Sequence, residues 1–314
     1  MGRLTIRTPE IDPDRDRALL YELAEPARAL FEVHLDNTRN WYPHEAIPFD
    51  MARTFNKANP WHPEEYPLDQ AVRSAIYVNL LTEDNLPYYT RTVLDDLPLD
   101  HPLQEWGRQW TAEEWRHSAV IRGWVLATRA LDPKQLEDAR MIQMGVGEVP
   151  QPPSFAELIV YTSLQELATH IAHRNTGRRL DKERNGKKVM ALVAGDEILH
   201  HEFYSGLAAE GFKIDPETMI LATLRQLRFR MPGTGIPDFK QHSLSIADAG
   251  IYDLNLFLNQ VVRPTFAKWN IDGIADYTRE METARIEIAK RLGLIARSVI
   301  RQQEFKQILN DIDQ

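Results

Sequence analysis

The segments TAEEWRHS (111–118) and AGDEILHH (194–201) decide how this chain reads. In each, a Glu and a His stand three residues apart: Glu114 with His117, and Glu197 with His200. Residues at that spacing share one face of an α-helix, so each pair aims a carboxylate and an imidazole at one point. Each pair also has a Glu 31 residues upstream, set in an apolar run. These are Glu83 in YVNLLTEDNLPYY and Glu166 in IVYTSLQELATHIAH. The two triplets are offset from each other by 83 residues at every position. In a chain with ten histidines, chance alone yields roughly one Glu-x-x-His, so a single one means nothing. Two of them, each preceded at the same distance by an acid that interrupts an apolar stripe, form a repeat.

At a rise of ~1.5 Å per residue, 31 residues take the chain half a helix out and half a helix back. Glu83 can then face Glu114 and His117, and Glu166 can face Glu197 and His200, in antiparallel neighbours. Two such hairpins related by a pseudo-twofold axis bring four Glu and two His into one bundle core. That is the ligand set of ferritin-like di-iron and di-manganese carboxylate proteins. Four carboxylates balance two ferrous ions, whereas the same acids without metal are costly to bury. Imidazole and carboxylate with open positions suit iron that meets dioxygen. An acid precedes each second Glu, and metal-bound imidazoles usually donate their other N–H to a carboxylate. Asp196 is therefore expected to hold His117, and Glu113 to hold His200.

Around this repeat the sequence reads as helix. Gly is scarce at 15 of 314 residues, and strand-like alternation is rare. Helices are expected at 16–40, 66–93, 102–130, 134–145, 154–183, 185–210, 215–230, 243–262 and 273–309, with prolines at the joints. No Gly/Ser-rich linker divides the chain. The expectation is an all-α protein, a single ferritin-like domain over 1–314. Its four-helix core would span about 66–210, with an N-terminal helix at 16–40 and C-terminal helices at about 215–309.

Composition narrows the chemistry. Apolar residues make up 43% of the chain, enough for a core. No run approaches the ~18 apolar residues of a membrane span. The start, MGRLTIRTPEIDPDRDR, has no apolar signal core, and Ile6 breaks the myristoylation pattern after Gly2. A cytoplasmic protein without a membrane partner is expected. Cysteine is absent, which removes thiol nucleophiles, thiolate zinc sites and cysteine-held iron–sulfur clusters. The net charge of −9 argues against a nucleic-acid partner.

The segments TEDNLPYY, WTAEEWRHS, YTSLQELATHIAHRNTG and AGDEILHHE, with NWYPHEAIPFD upstream, resemble the soluble acyl-ACP desaturases (ACP, acyl carrier protein) of the bacterial, actinobacterial type. The likeness runs from about residue 30 to about 260. Its discriminating piece is the QE-x-AT-x-x-x-H-x-NT run from Gln165 to Thr176. The resemblance implies insertion of a cis double bond into a saturated acyl chain carried on ACP. It also implies two iron ions per chain and dioxygen as co-substrate. Glu83, Glu114 and His117 would hold one iron and Glu166, Glu197 and His200 the other, with Glu114 and Glu197 bridging. By the same likeness Thr169 lies beside the oxygen site, and Trp41, Asp196 and His117 carry electrons inward. A homodimer is implied as well. Plant members differ in having Asp at Asn79, Glu at Asp84, Asn at Trp115 and a basic pair at Ile198–Leu199.

Removing two hydrogens from the chain yields two electrons, whereas reducing dioxygen to two waters takes four. Two electrons must come from outside. With no cysteine cluster and no completed G-x-G-x-x-G, the chain needs an external donor, and the resemblance points to ferredoxin. An acidic carrier calls for a basic dock. One candidate runs from His173 and Arg174 through Arg178, Arg179, Lys182, Arg184, Lys187 and Lys188, and a second comprises Arg225, Arg228 and Arg230. Substrate would lie in a narrow apolar channel lined from among Tyr88, Tyr89, Met144, Tyr161 and Leu164. The competing readings are another ferritin-like di-iron oxygenase or oxidase, an iron-binding ferroxidase, and a non-catalytic carrier-binding bundle.

Overall fold

Proline and cap residues cut the apolar-striped sequence into helices, and the cuts decide where the acids fall. The computed structural model describes residues 9–228, 232–275 and 277–312, the last eight by backbone alone. About 74% is helical, with no strand among the described residues. The chain start through residue 8, and Arg230 of the second basic run, lie outside them.

In chain order the helices are α1 (Pro13–Glu22), α2 (Ala24–Asn37), α3 (Pro43–Ala46), α4 (Gln70–Glu83), α5 (Leu86–Leu94), α6 (Pro102–Thr128) and α7 (Pro133–Val146). There follow α8 (Phe155–Arg179), α9 (Arg184–Ile214), α10 (Pro216–Gln226), α11 (Phe239–Asp248), α12 (Leu254–Leu256), α13 (Arg263–Lys268) and α14 (Arg279–Ile312). Between α12 and α13, Phe257–Val262 winds as π-helix.

Two expected long helices are each broken in two. The 16–40 segment breaks at Leu23, because Pro26 cannot donate to the Glu22 carbonyl and its ring crowds it. The 66–93 segment breaks at Asp84–Asn85 for the same reason, with Pro87 four residues after Glu83. The second break leaves Glu83 as the last residue of α4. In the 243–262 segment, Gly250 at φ 67° separates α11 from α12.

Starts are fixed by side chains that accept from free amides: Asp69 for α4, Ser154 for α8 and Glu183 for α9. Arg129 closes α6 in the left-handed region at φ 59°. Its buried guanidinium binds Glu65 and the carbonyls of Thr54, Asn59 and Pro60, which ties the long 52–66 segment to the bundle.

The core bundle is α4, α6, α8 and α9. α2 packs across α6 and α9, α1 and α10 against α8, α11 against α4, and α14 against α10. Two apolar clusters fill it. One holds Trp106 and Trp110 of α6, Ile159 and Leu164 of α8, and Phe203 and Leu207 of α9. The other holds Ile76 and Leu80 of α4, Ile121 and Trp124 of α6, and Val189 and Val193 of α9. On α6 the first cluster ends at residue 110 and the second begins at 120; on α9 the second ends at 193 and the first begins at 203. Glu114/His117 and Glu197/His200 occupy those gaps. The acids and histidines thus form a polar layer between two dry ones.

Candidate metal centre

All six residues picked from the repeat are buried, and they converge. Glu83, Glu114, His117 and Glu197 bring ligand-type atoms within 4.8 Å of one another. Glu114, Glu166, Glu197 and His200 do the same. The two groups share Glu114 and Glu197. The imidazoles are 6.0 Å apart between ring centroids, and Glu114 turns one carboxylate oxygen toward each.

Both rings point the same way. His117 Nδ1 lies 3.4 Å from Glu114 Oε2, 3.6 Å from Glu83 Oε2 and 3.7 Å from Glu197 Oε1. His200 Nδ1 lies 2.9 Å from Glu114 Oε1 and 3.7 Å from Glu166 Oε2. Neither Nδ1 makes a hydrogen bond, nor do Glu114 Oε1 or the two Glu166 oxygens, although all are buried. Unpaired lone pairs that converge in a dry layer are what a cation needs and what a metal-free core avoids. The donor set therefore fits two metal ions.

The other ring nitrogen of each His faces an acid. His117 Nε2 donates to Asp196 Oδ2 at 3.3 Å. Asp196 also accepts from Trp41 Nε1 at 3.0 Å and from Arg116 at 3.0 Å. Trp41 lies parallel to the His117 ring, 6.5 Å between centroids, with the Arg116 guanidinium 4.8 Å above the indole. On the other side, His200 Nε2 donates to Glu113 Oε2 at 2.9 Å. Glu113 accepts as well from Gln109 at 2.7 Å and from His34 Nε2 at 3.0 Å.

Packing four carboxylates together sets their protonation. Burial, and then the charges of Glu114, Glu166 and Glu83, push the Glu197 carboxyl well above the usual carboxylate range. Burial opposes charge on Glu114 and Glu113 too, but contacts from His117 and His200, and from His200 and His34, outweigh it. Both stay below that range. Burial works against protonating His117 and His200, yet their carboxylate neighbours hold both well above the ordinary imidazole value. Divalent ions at this spot would displace those protons.

A family model described as fatty acid desaturase matches residues 16–310. The chain is 34% identical over 285 residues to a protein of Mycobacterium tuberculosis H37Rv named "Putative acyl-[acyl-carrier-protein] desaturase DesA1", covering 87% of this chain and 84% of that one. The chain belongs to the fatty acid desaturase family. It is also 26% identical to stearoyl-ACP 9-desaturase 5, chloroplastic, of Arabidopsis thaliana, over 79% of this chain and 67% of that one. The X-ray structure of M. tuberculosis DesA2 superposes with a TM-score of 0.69 at 23% identity, over 85% of this chain and 99% of that one. This likeness supports the ferritin-like fold.

Other residues singled out in this desaturase fall in varied places. Thr169 donates to Glu197 Oε2 at 2.8 Å, so its hydroxyl borders the polar layer. His173, read above as part of a basic dock, is instead in the core: its Nε2 donates to Glu83 Oε1 at 3.1 Å. Asn79 donates to His173 Nδ1 at 3.3 Å, which fixes that tautomer and leaves the proton on Nε2. Seven residues separate Glu166 from His173, two helical turns, and that spacing was a legible signal. Arg174, Arg178 and Lys187 border a groove of about 320 Å³ between α8 and α9. Arg174 donates to Gln260 Oε1 at 2.8 Å and Arg178 to Asn175 Oδ1 at 3.4 Å. Arg179 pairs with Asp69, and Lys188 donates to the Glu45 carbonyl. Tyr161 and Leu164 are buried, whereas Tyr88, Tyr89 and Met144 are half-buried, with Tyr88 donating to the Met144 carbonyl. Trp115 is 63% exposed and Asp84 pairs with Arg122, so neither meets the metal layer. No described helix is long and apolar enough to cross a membrane.

Proposed function

We propose that this desaturase inserts a cis double bond into a saturated acyl chain presented as a thioester on ACP. It would use dioxygen and two electrons from a ferredoxin-type donor. The ions would be two irons, one held by Glu83, Glu114 and His117, the other by Glu166, Glu197 and His200, with Glu114 and Glu197 shared. The observation that carries this reading is the pair of buried four-residue groups with two acids in common. One saturated –CH2–CH2– unit, O2, two electrons and two protons give –CH=CH– and two waters. Bound iron would supply the oxidising power that a strong, unactivated C–H bond demands.

The protein's own part in this reading is positional. Asp196 holds the His117 ring and accepts from Trp41, so Trp41, Asp196 and His117 form a connected route inward. Trp41 lines a groove of about 380 Å³ with Asn37, Arg39, Ala191 and Gly195, a surface from which electrons could enter. Thr169 keeps a hydroxyl against the shared Glu197. The dry layers above and below exclude water from the site. Carrier docking is assigned to Arg174, Arg178 and Lys187, the cations that border the α8–α9 groove. A single domain, a homodimer and a cytoplasmic location complete the proposal. No observation favours iron storage or a non-catalytic bundle, and the desaturase family match weighs against both.

The test is direct. Iron-loaded protein is incubated with acyl-ACPs of several chain lengths, a reductant system and oxygen, and products are read by mass spectrometry. A double bond at one position in one favoured chain length is the expected result. Hydroxylated or shortened products, or none from protein that holds two irons, would count against it.

A further inference from the structure

We propose that His34 is a positioning residue for one half of the centre: it fixes Glu113, and through Glu113 it fixes the ring of His200. The inference rests on the reading of His200 as a metal ligand. His34 lies on α2, outside the four core helices, at the end of a stripe that runs Ala27, Leu30, Phe31, His34. That stripe faces α6 and α9, and an aliphatic side chain would fill the last place more simply. The imidazole is 4% exposed, and burying it costs free energy unless it is hydrogen-bonded.

Its single strong polar contact is with Glu113, at 3.0 Å from Nε2. Its Nδ1 is buried with no partner. A neutral imidazole has one N–H, so the proton belongs on Nε2, where a carboxylate accepts it. Glu113 then receives three N–H donors: Gln109, His34 and His200. With its Nε2–H committed to Glu113, His200 presents the bare lone pair of Nδ1 to Glu114 and Glu166. The position of the ring nitrogen that would bind metal is thus set two residues away. Trp106 holds His34 from the side, T-shaped at 4.8 Å between centroids, and itself stacks on Phe203 at 3.6 Å. The clamp is rigid because its outer member is wedged into the apolar layer.

Three variants at this position separate the hypothesis from simple packing. Gln can place an amide N–H near the position of Nε2. Asn is polar but too short to reach Glu113. Leu fills the space without a donor. Each metal-free protein is titrated with cobalt(II) by calorimetry, with the visible cobalt spectrum recorded at each step and thermal unfolding measured beforehand. Loss of an outer hydrogen-bond partner weakens metal binding about 10–100-fold. Expected, therefore, is two-step binding in which His34→Leu and His34→Asn weaken one ion about tenfold or more and leave the other alone, while His34→Gln stays within about threefold of the parent. Should Leu not fold, the contrast between Gln and Asn carries the test. Equal weakening of both ions, no weakening of either, or Gln behaving like Asn would overturn the proposal. His200→Ala is run alongside. If it still binds two ions like the parent, the ligand reading itself fails; if it loses one ion while His34→Asn loses none, only the role of His34 fails.

Discussion

Around His117 the chain of contacts runs to Asp196 and then to Trp41, which floors an open groove. Around His200 it runs to Glu113 and then to His34, which ends against Trp106 in the apolar core. Each half has a histidine, an acid and an outer ring; the histidines and acids follow the 83-residue repeat, whereas Trp41 and His34 both come from the chain before it. The outer rings differ in what lies beyond them. The indole lies under a surface groove, where the proposed electron route would begin. The imidazole packs edge-on against Trp106 in the core, and its hydrogen bond goes to the Glu113 carboxylate. Arg116 sharpens the contrast: it binds Asp196 at 3.0 Å and stays 4.0 Å from Glu113, so its charge favours the open half. A symmetric ligand set thus has one half that opens on a groove and one that closes in the core.

The hardest way to break this picture is to remove a ligand from either half. Glu114→Ala, shared by both halves, and His200→Ala, private to one, should each cut turnover by at least about a thousandfold, equivalent to ~4 kcal/mol of barrier. Far-UV circular dichroism should change little, because the apolar layers are untouched. Iron analysis separates the two variants: His200→Ala should keep part of the metal and Glu114→Ala less. If either variant still desaturates acyl-ACP at near-parental rates, the six-residue assignment is wrong.

Next in size is the outer ring of the open half. Trp41→Phe keeps the aromatic plane but loses the N–H to Asp196. Turnover driven by a protein donor should fall about tenfold, a ~1.4 kcal/mol effect on the barrier. Turnover driven by a small chemical reductant, and the iron content, should not change. Equal losses with both reductants would mean that Trp41 merely packs.

The repeat made the central layer readable, because acids that interrupt apolar stripes at a fixed spacing are costly to bury unless a cation neutralises them. Helix content was equally plain from scarce Gly and from the spacing of Leu, Ile and Val. The breaks at Leu23 and Asp84 were missed, although Pro26 and Pro87 announced both. A proline acts on the carbonyl four residues earlier, so the fault lies one turn upstream of the visible signal. His34 and His173 were hidden for a different reason. Each bonds across the bundle, 79 and 90 residues from its partner, and only the seven-residue spacing from Glu166 put His173 on the face of a ligand; nothing local marked His34. His173 was drawn into a basic run only because Arg174 follows it. On a helix, neighbours in sequence point about 100° apart, so one faced the acids and the other the groove.

Protonation offers a milder way to compare the metal-free and metal-bound layers. His117, His200 and Glu197 are all raised, so the metal-free native state holds more protons than the unfolded chain above their ordinary values. Its stability should decline as pH rises above 4.5 for Glu197, and above 6.5 for the two histidines, through their folded values. Glu113 and Glu114 are lowered and act in the opposite direction, but only below pH 4.5. Metal binding expels the protons on the raised groups, so the gap in melting temperature between loaded and metal-free protein should widen from about pH 6 to about pH 8.5. Differential scanning fluorimetry across that range checks the sign. A gap that narrows would mean that the histidines are not ligands.

The smallest effect belongs to the groove cations, which lie outside both halves. Lys187 borders the α8–α9 groove beside Arg174 and Arg178, while Lys188 reaches away from it to the Glu45 carbonyl. In a Lys187→Glu, Lys188→Glu pair the first change should do most of the work. Reversing one rim charge alters encounter and salt dependence more than contact energy, so KM for acyl-ACP should rise a few-fold, roughly 3–10. The rise should fade at high ionic strength, where the Debye length shrinks to ~3 Å at 1 M salt. Iron content and the rate at saturating substrate should stay put, since no member of the metal layer touches Lys187. A single Lys188→Glu change that reproduces the whole effect would move the dock to the α3 side of α9. On that side Asn37 and Arg39 line the groove at Trp41, and carrier and donor would then compete for one surface.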